Sequence, residues 1–220
     1  MTRFNTLSTQ LRISEIFHSL QGESTRVGVP TVFIRLTGCP LRCQYCDTAY
    51  AFSGGELIEI PKLLQQVKDF QCAYVCVTGG EPLAQPACIS LLTLLCDKGF
   101  QVSLETSGAR SIEAVDPRIM IVMDLKTPGS GECDKNLFSN IPYLKKTDQI
   151  KFVLCNRDDY DWACQIIKQH QLNTKVDVLF SPSWEELNPT DLANWIVKDN
   201  MDVRFQIQLH KILWNNTPGK

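Results

Sequence analysis

Eight short runs of apolar, mostly β-branched or aromatic residues recur along the chain, and each is typical of a buried strand. They cover residues 13–17, 32–36, 74–77, 102–104, 119–125, 150–154, 176–180 and 203–209. From about residue 60 onward, segments with apolar residues at helical spacing lie between the runs, at residues 63–67, 89–95, 162–166 and 192–196. This alternation predicts an α/β fold with a mainly parallel sheet, open or curled into a partial barrel.

The composition fits one domain that acts on a small molecule. The chain has 220 residues, 44% of them hydrophobic, and no shift in composition divides it, so residues 1–220 are predicted to form a single domain. A formal net charge of -2 gives no general attraction to nucleic acid or to anionic lipid. Residues 1–10 lack the apolar core of an export signal and no run is long enough to span a membrane, which predicts a cytoplasmic location.

Three of the ten cysteines form a close group directly after the second predicted strand. Cys39, Cys43 and Cys46 are spaced CxxxCxxC, and thiolates are soft ligands that suit iron-sulfur clusters and zinc. Three thiolates can hold three corners of a 4Fe-4S cluster and leave the fourth iron without a protein ligand, whereas structural zinc requires a fourth Cys or His. The other seven cysteines are scattered among apolar neighbours and are interpreted as buried small hydrophobic residues. The spacing alone leaves the cluster and zinc both open.

Polar and glycine-rich segments follow three further predicted strands. They are residues 78–82 (TGGEP), 105–108 (ETSG) and 124–126 (DLK). Ligands bind at the carboxyl ends of the strands in parallel α/β sheets, so we expect these segments at one ligand-binding face. Adjacent glycines let a backbone approach a ligand closely, and the Glu81 carboxylate can accept hydrogen bonds from an ammonium group. Each segment alone also fits an ordinary turn or a partly exposed ion pair.

The cysteine spacing, together with Tyr45 and Asp47, resembles the signature of the radical S-adenosylmethionine (SAM) superfamily, and residues 78–82 resemble its glycine-rich SAM motif. The resemblance implies a compact partial (β/α) barrel of the radical SAM type with few helices. It implies a 4Fe-4S cluster whose open iron binds SAM and whose electron cleaves SAM to methionine and a 5′-deoxyadenosyl radical. The SAM contacts implied by this resemblance are Tyr45, Cys46, Asp47, Gly80, Glu81, Glu105, Ser107, Asp124, Leu125, Lys126, Phe180, Ser181 and Pro182.

Four segments resemble the 7-carboxy-7-deazaguanine synthases, a family within that superfamily: residues 20–23 (LQGE), 33–36 (FIRL), 46–48 (CDT) and 210–214 (HKILW). This resemblance implies a lyase of queuosine biosynthesis that converts 6-carboxy-5,6,7,8-tetrahydropterin to 7-carboxy-7-deazaguanine with loss of ammonia. It implies Mg2+ at Thr48 and substrate contacts from Leu20, Gln21, Gly22, Glu23, Arg35, Thr78 and His210. Gln21 and Arg35 suit such roles, because an amide can pair with the edge of a heterocycle and a guanidinium can bind a carboxylate bidentately.

The same resemblance implies a homodimer. Because the cluster needs an electron, a flavodoxin or ferredoxin is the expected electron donor, and whether the terminal carboxylate, beyond Trp214, reaches the substrate stays open. Two alternatives remain at this point. A glycyl-radical-enzyme activase shares CxxxCxxC and the glycine motif but acts on a partner protein. A zinc-stabilised binding module explains the cysteines and leaves residues 78–82 unexplained.

Overall fold

Nine strands form one mixed sheet in the computed structural model, which describes residues 9–215, 217 and 219. The strands are β1 (Gln10–Leu20), β2 (Pro30–Leu36), β3 (Glu56–Glu59), β4 (Tyr74–Gly79), β5 (Gln101–Thr106), β6 (Met120–Asp124), β7 (Gln149–Leu154), β8 (Asp177–Pro182) and β9 (Arg204–Phe205). Their order across the sheet is β3-β1-β2-β4-β5-β6-β7-β8-β9. β1 runs antiparallel to both neighbours and the pairs from β2 to β9 are parallel, which confirms the mainly parallel sheet.

The α-helices are α1 (Ile60–Asp69), α2 (Ala87–Asp97), α3 (Arg157–His170), α4 (Pro189–Lys198) and α5 (Leu209–Trp214). The first four coincide with the helical segments predicted from the sequence. Within the described residues, no α-helix joins β5 to β6 or β6 to β7. Both connections contain glycine and proline, which interrupt helical hydrogen bonding, and this accounts for the small number of helices. None of the helices that the structure describes is long and apolar enough to cross a membrane.

The two faces of the sheet carry different chemistry, and β7 shows the alternation. Ile150, Phe152 and Leu154 are fully buried in the hydrophobic core that joins the sheet to the helices. Lys151 and Val153 line a cavity on the opposite face. Because successive side chains of a strand point to opposite faces, polar residues at every second position of several strands meet on that second face.

The sheet curls far enough for its distant strands to touch. The segment that follows β1 is separated from β7 in the strand order by β2, β4, β5 and β6. Nevertheless, Lys151 Nζ of β7 lies 2.7 Å from Glu23 Oε2, and the Thr25 N–H donates to Gln149 Oε1 at 3.0 Å. These contacts close much of a barrel around the polar face, and they confirm the compact partial barrel with few helices.

Two elements differ from the sequence-based expectation. The run predicted as a strand at residues 203–209 forms only the two-residue β9, and His210 lies in the first turn of α5 rather than at a strand end. The apolar residues of this region fit both a period of two and a helical spacing, and contacts from α5 to Gly22 and Asp47 favour the helix. The short strand β3 was not predicted, because it contains only two apolar residues between two glutamates.

Candidate active site

A polar cavity lies inside the curl of the sheet, at the carboxyl ends of the parallel strands. Its lining includes the three clustered cysteines and all the predicted substrate residues: Leu20, Gln21, Gly22, Glu23, Arg35, Thr78 and His210. Of the predicted cofactor and magnesium residues, Tyr45, Cys46, Asp47, Thr48, Gly80, Glu105, Ser107, Asp124 and Lys126 also line it. The motifs that are far apart in the sequence therefore converge on one space.

The cysteine loop, residues 38–48, is held by the loops around it. The Glu81 N–H donates to Gly38 O at 2.8 Å, and the Gln44 N–H donates to Ser130 O at 3.0 Å. A Cβ atom on Gly80 would overlap the carbonyl oxygen of Gly38, so the chain after β4 packs against this loop only because residue 80 is glycine. The glycine motif and the cysteine motif are thus in direct contact.

The three thiols of the cysteine loop are of the chemical type that a 4Fe-4S cluster binds. Among the residues that the structure describes, no three His, Cys, Asp or Glu side chains are grouped to hold one ion, whereas structural zinc needs four ligands around one point. Thiolates that bind three different irons of a cube do not have to converge in this way. Burial raises the pKa of Cys43 to about 11 and raises that of Cys39, while the Lys126 ammonium opposes both shifts. Metal binding would displace protons from these thiols, and the residues fit a 4Fe-4S cluster.

Glu81, expected from the sequence to accept hydrogen bonds from the ammonium group of SAM, does not line the cavity. Its side chain is fully buried, and its carboxylate accepts hydrogen bonds from Thr106 Oγ1 at 2.9 Å, from the Ser107 N–H at 2.8 Å and from the Leu83 N–H at 3.0 Å. These donors occupy the carboxylate, so Glu81 positions Ser107, which does reach the cavity.

Four other residues expected to contact SAM also lie outside the cavity lining: Leu125, Phe180, Ser181 and Pro182. Phe180 packs edge-on against Phe152 within the hydrophobic core. Ser183 and Trp184, which directly follow β8, line the cavity instead. The part of this segment that faces the cavity therefore comes one residue later than the sequence motif indicated.

Glu105 at the end of β5 joins two of the predicted substrate residues. Its Oε1 accepts a hydrogen bond from Gln21 Nε2 at 3.2 Å, and its Oε2 accepts one from Thr78 Oγ1 at 2.9 Å. The Glu23 N–H in turn donates to Gln21 Oε1 at 3.2 Å. Gln21 is therefore fixed in one orientation, with its amide nitrogen toward Glu105.

Arg35 is held by two residues that the sequence did not single out. Glu15 lies opposite Arg35 in the β1–β2 register, next to a register shift between Ile13 and Glu15. Glu15 Oε1 accepts hydrogen bonds from Arg35 Nε and from the Tyr50 hydroxyl, both at 2.7 Å. Because Glu15 engages Nε, the outer edge of the guanidinium stays available for a bidentate anion.

α5 closes the cavity against both the β1 end and the cysteine loop. The Leu209 N–H donates to Gly22 O at 3.0 Å, which brings the His210 ring against Gly22, and Lys211 Nζ lies 2.8 Å from Asp47 Oδ2. Burial raises the pKa of Asp47, but Lys211 and the Thr48 hydroxyl lower it by more than burial raises it. The pKa of Asp47 therefore lies well below its usual range. Burial lowers the pKa of His210, which favours the neutral imidazole at pH 7.

A buried array of charges lies between these two ends of the cavity. Lys151 Nζ is 2.7 Å from Glu23 Oε2 and 3.5 Å from Asp124 Oδ2, and Lys126 Nζ is 3.1 Å from Asp124 Oδ2. Lys151 was not predicted as a site residue, although it interrupts an otherwise apolar strand pattern. A lysine within such a run is the signal that would have found it, because an unpaired ammonium is not tolerated in a core.

Comparisons with known proteins show to which sequences and to which fold this chain is similar. A family model described as the radical SAM superfamily matches residues 33–118. A 7-carboxy-7-deazaguanine synthase of Chlorobaculum tepidum is 41% identical over 93% of this chain and 94% of its own length, and one of Koribacter versatilis is 38% identical over 93% and 97%. The crystal structure of QueE from Escherichia coli superposes with a TM-score of 0.76 at 23% identity and covers 95% of this chain and 100% of that one, which shows that the two share a fold.

Proposed function

From the premise that this chain belongs to the 7-carboxy-7-deazaguanine synthase family of radical SAM enzymes, we propose that it converts 6-carboxy-5,6,7,8-tetrahydropterin to 7-carboxy-7-deazaguanine with release of ammonia. The observation that carries this proposal is the single cavity lined by Cys39, Cys43 and Cys46 on one side and by Gln21 and His210 on the other. A cluster and a heterocyclic substrate would meet there.

The cysteine side of the cavity suits the cofactors. Bound SAM, once cleaved by an electron from the cluster, supplies the 5′-deoxyadenosyl radical that removes a hydrogen from the substrate. The residues of the chain itself bind SAM and orient it. Ser107, held by Glu81, and Asp124, with one oxygen free, offer hydrogen bonds to SAM, and Tyr45 and Lys126 line the cavity beside the thiols.

The opposite side suits a carboxylated pterin. Gln21 and Glu23 offer amide and carboxylate groups to the edge of the ring, and Thr78 shares Glu105 with Gln21. Arg35 presents the outer edge of its guanidinium, which matches the geometry of a carboxylate. His210 is held against Gly22, and burial lowers the pKa of its imidazole, which in the neutral form carries one hydrogen-bond donor and one acceptor.

We assign Mg2+ to Thr48. Its hydroxyl donates to Asp47 Oδ1 at 2.8 Å, which leaves the lone pairs of the hydroxyl oxygen for a hard cation. The ionised Asp47 beside it adds negative charge to this part of the cavity. An ion at this position would carry the substrate carboxylate as a further ligand, because Mg2+ is usually bound through one or two protein groups together with substrate oxygens.

The decisive experiment is turnover. Anaerobically reconstituted protein is incubated with the tetrahydropterin, SAM, Mg2+ and dithionite, and the product is measured by mass spectrometry. We expect the deazaguanine mass with loss of ammonia and SAM recovered after each turnover. Cys43→Ala should abolish iron binding and product, whereas Cys72→Ala, outside the cavity lining, should retain both. Protein with an intact cluster that forms no product would refute the proposal.

We further propose a flavodoxin or ferredoxin as the electron donor, a homodimeric assembly and a cytoplasmic location. All ten cysteines are free thiols in the structure, which suits a reducing compartment. Reduction of the reconstituted cluster by a purified flavodoxin, followed by electron paramagnetic resonance, tests the first of these. Sedimentation velocity tests the second.

A further inference from the structure

Among the residues that the structure describes, Lys151 is the one cation that touches both ends of the charged array, and the inference drawn from it rests on the proposed function. Its ammonium lies 2.7 Å from Glu23 Oε2, on the proposed substrate side, and 3.5 Å from Asp124 Oδ2, on the proposed SAM side. The side chain is only 11% exposed. Lys126 also pairs with Asp124, but no contact joins it to Glu23 in the described residues.

The backbone fixes where this ammonium lies. Lys151 is paired with Asp124 in the parallel register of β6 and β7, and its carbonyl oxygen accepts the Leu125 N–H at 2.9 Å. On either side of it, Ile150 and Phe152 are fully buried in the core, so the strand cannot slide or rotate without exposing them. The long side chain therefore projects from a rigid strand into the gap between the two carboxylates.

Each carboxylate keeps one oxygen without a partner. Glu23 Oε1 and Asp124 Oδ1 are both buried and accept no hydrogen bond from any group of the protein, although both residues line the cavity. A buried acceptor without a donor is costly, so such atoms point to donors that a ligand brings. A heterocycle with N–H groups would satisfy the first oxygen, and the hydroxyl groups of a ribose would satisfy the second.

We propose that Lys151 is a positioning residue that couples the two halves of the site, because it holds one oxygen of Glu23 and one of Asp124 and so aims the other oxygen of each at its ligand. Loss of Lys151 then weakens the binding of the tetrahydropterin and of SAM together. The charge of Lys151 also acts in this direction: burial raises the pKa of Glu23, and Lys151 more than offsets it and keeps this pKa below its ordinary value. An ionised Glu23 accepts hydrogen bonds, whereas a protonated one would donate.

The test measures binding rather than turnover. SAM binding is followed by the change that it causes in the electron paramagnetic resonance spectrum of the reduced cluster, and tetrahydropterin binding by calorimetry with SAM and Mg2+ present and no reductant. We expect Lys151→Met to raise both dissociation constants by about tenfold or more, the effect of losing a hydrogen bond to a charged group. Lys151→Arg, which keeps the charge, should recover most of both affinities.

Single-sided variants separate coupling from general damage. Glu23→Gln should weaken mainly the binding of the tetrahydropterin, and Asp124→Asn should weaken mainly the binding of SAM. Lys175→Met removes an exposed lysine and should change neither affinity. A Lys151→Met protein that retains its cluster and binds both ligands as the wild type does, or that loses only one of them, would overturn the proposal.

A second comparison covers the case in which Lys151→Met does not fold. The double variant Glu23→Gln/Lys151→Met leaves no unpaired Glu23 charge, and its SAM affinity should be about tenfold below that of Glu23→Gln alone. Equal SAM affinities would contradict the contact with Asp124. A wild-type protein that binds SAM but not the tetrahydropterin would instead count against the proposed function, without affecting the comparison on the SAM side.

Discussion

Arg35 illustrates how a single side chain is prepared for its role. The guanidinium is anchored at Nε by Glu15, and the Tyr50 hydroxyl binds the same carboxylate oxygen. Tyr50 belongs to the turn that directly follows the cysteine loop, so the anchor also connects Arg35 to the part of the chain that carries Thr48. Position, rather than charge alone, distinguishes this arginine from one at the surface.

Glu15→Ala should therefore weaken the binding of the substrate more than the binding of the cofactor. Without its partner at Nε the guanidinium loses its fixed orientation, and we expect the KM for the tetrahydropterin to rise about tenfold, the effect of one charged hydrogen bond. Glu15→Gln keeps an acceptor and should have a smaller effect. Steady-state kinetics at saturating SAM measures this, and an unchanged KM in Glu15→Ala would show that Arg35 does not need the anchor.

Gly22→Ala should disturb His210. A Cβ atom at residue 22 would overlap the imidazole ring, so the ring and the start of α5 must shift. We expect a loss of about 1 to 3 kcal/mol in the free energy of unfolding, as for other overpacked sites, and weaker tetrahydropterin binding. The thermal midpoint and calorimetry measure the two effects. In a His210→Ala background only the Cβ of residue 210 remains near the new methyl group, so the same substitution should cost less, and an equal cost in both backgrounds would contradict the contact with the ring.

The cavity residues fall into those that the sequence could reveal and those that it could not. Gln21, Arg35 and Thr48 lie in short motifs whose residue types and spacing resemble a known family. Lys151 lies in a run that indicates only a strand with an unusual lysine, and its partner Glu23 is more than a hundred residues away in the sequence. Only the curl of the sheet brings such partners together, and this is a property of the fold rather than of any local pattern.

At the level of elements, α3 stabilises the cysteine loop through the turn that follows β6. Asp159 near its N-terminus is buried, and its two oxygens accept hydrogen bonds from the Gly129 N–H at 2.7 Å and the Cys155 N–H at 2.9 Å. Gly129 lies in the turn after β6, and Ser130 of the same turn accepts a hydrogen bond from Gln44 in the cysteine loop. The helix thus holds the turn, and the turn holds the loop.

Asp159→Asn should loosen this chain of contacts. The amide can accept only through its single oxygen, so one of the two buried N–H groups loses its partner, and we expect a loss of about 1 to 3 kcal/mol in the free energy of unfolding. Urea denaturation measures it, and the iron content after reconstitution should fall as well. Asp158→Asn removes the same charge at the adjacent, exposed position and should change stability by less than about 0.5 kcal/mol. Equal effects would mean that helix charge, not the contacts, is responsible.

The elements themselves were predicted unevenly, and α5 shows why. Helical spacing at residues 192–196 predicted α4, and in the structure Asn188 caps its start with Pro189 as the first helical residue. The six residues of α5 carry no such cap, and their helical form depends on contacts with Gly22 and Asp47 that come from elsewhere in the chain. Short elements of this kind are decided by tertiary contacts, because a single helical turn or two is not stable alone.

For the molecule as a whole, the buried carboxylates predict how stability depends on pH. Burial raises the pKa of Glu23 and of Asp124, but the neighbouring lysines lower both below their ordinary values of 4.5 and 3.8. The unfolded chain therefore binds protons at a higher pH than the folded one. This contribution to stability is present above about pH 4.5 and is lost as the pH falls through the folded pKa values.

Urea denaturation between pH 3 and pH 7 measures this effect, and the free energy of unfolding should fall steeply below about pH 4.5. In Glu23→Gln the neutral amide cannot take up this proton, so the fall should be shallower, whatever the stability of that variant at pH 7. Asp158→Asn provides the control for the loss of one exposed carboxylate. A Glu23→Gln profile parallel to that of the wild type would contradict the assignment of the low pKa.

In the part of the chain that the structure describes, the open curl leaves the sheet with two edges, β3 and β9, and this affects how two copies of the chain can meet. An exposed edge strand invites pairing with another chain. If two β3 strands paired antiparallel about a twofold axis through the centre of Glu56–Glu59, Glu56 of each would lie opposite Glu59 of the other, and like charges directly opposite are destabilising. β9, with two residues, offers almost no backbone to pair. The proposed homodimer should therefore form by packing of a face rather than by extension of the sheet into a longer one, and for the same reason we expect these edges to disfavour strand-to-strand aggregation.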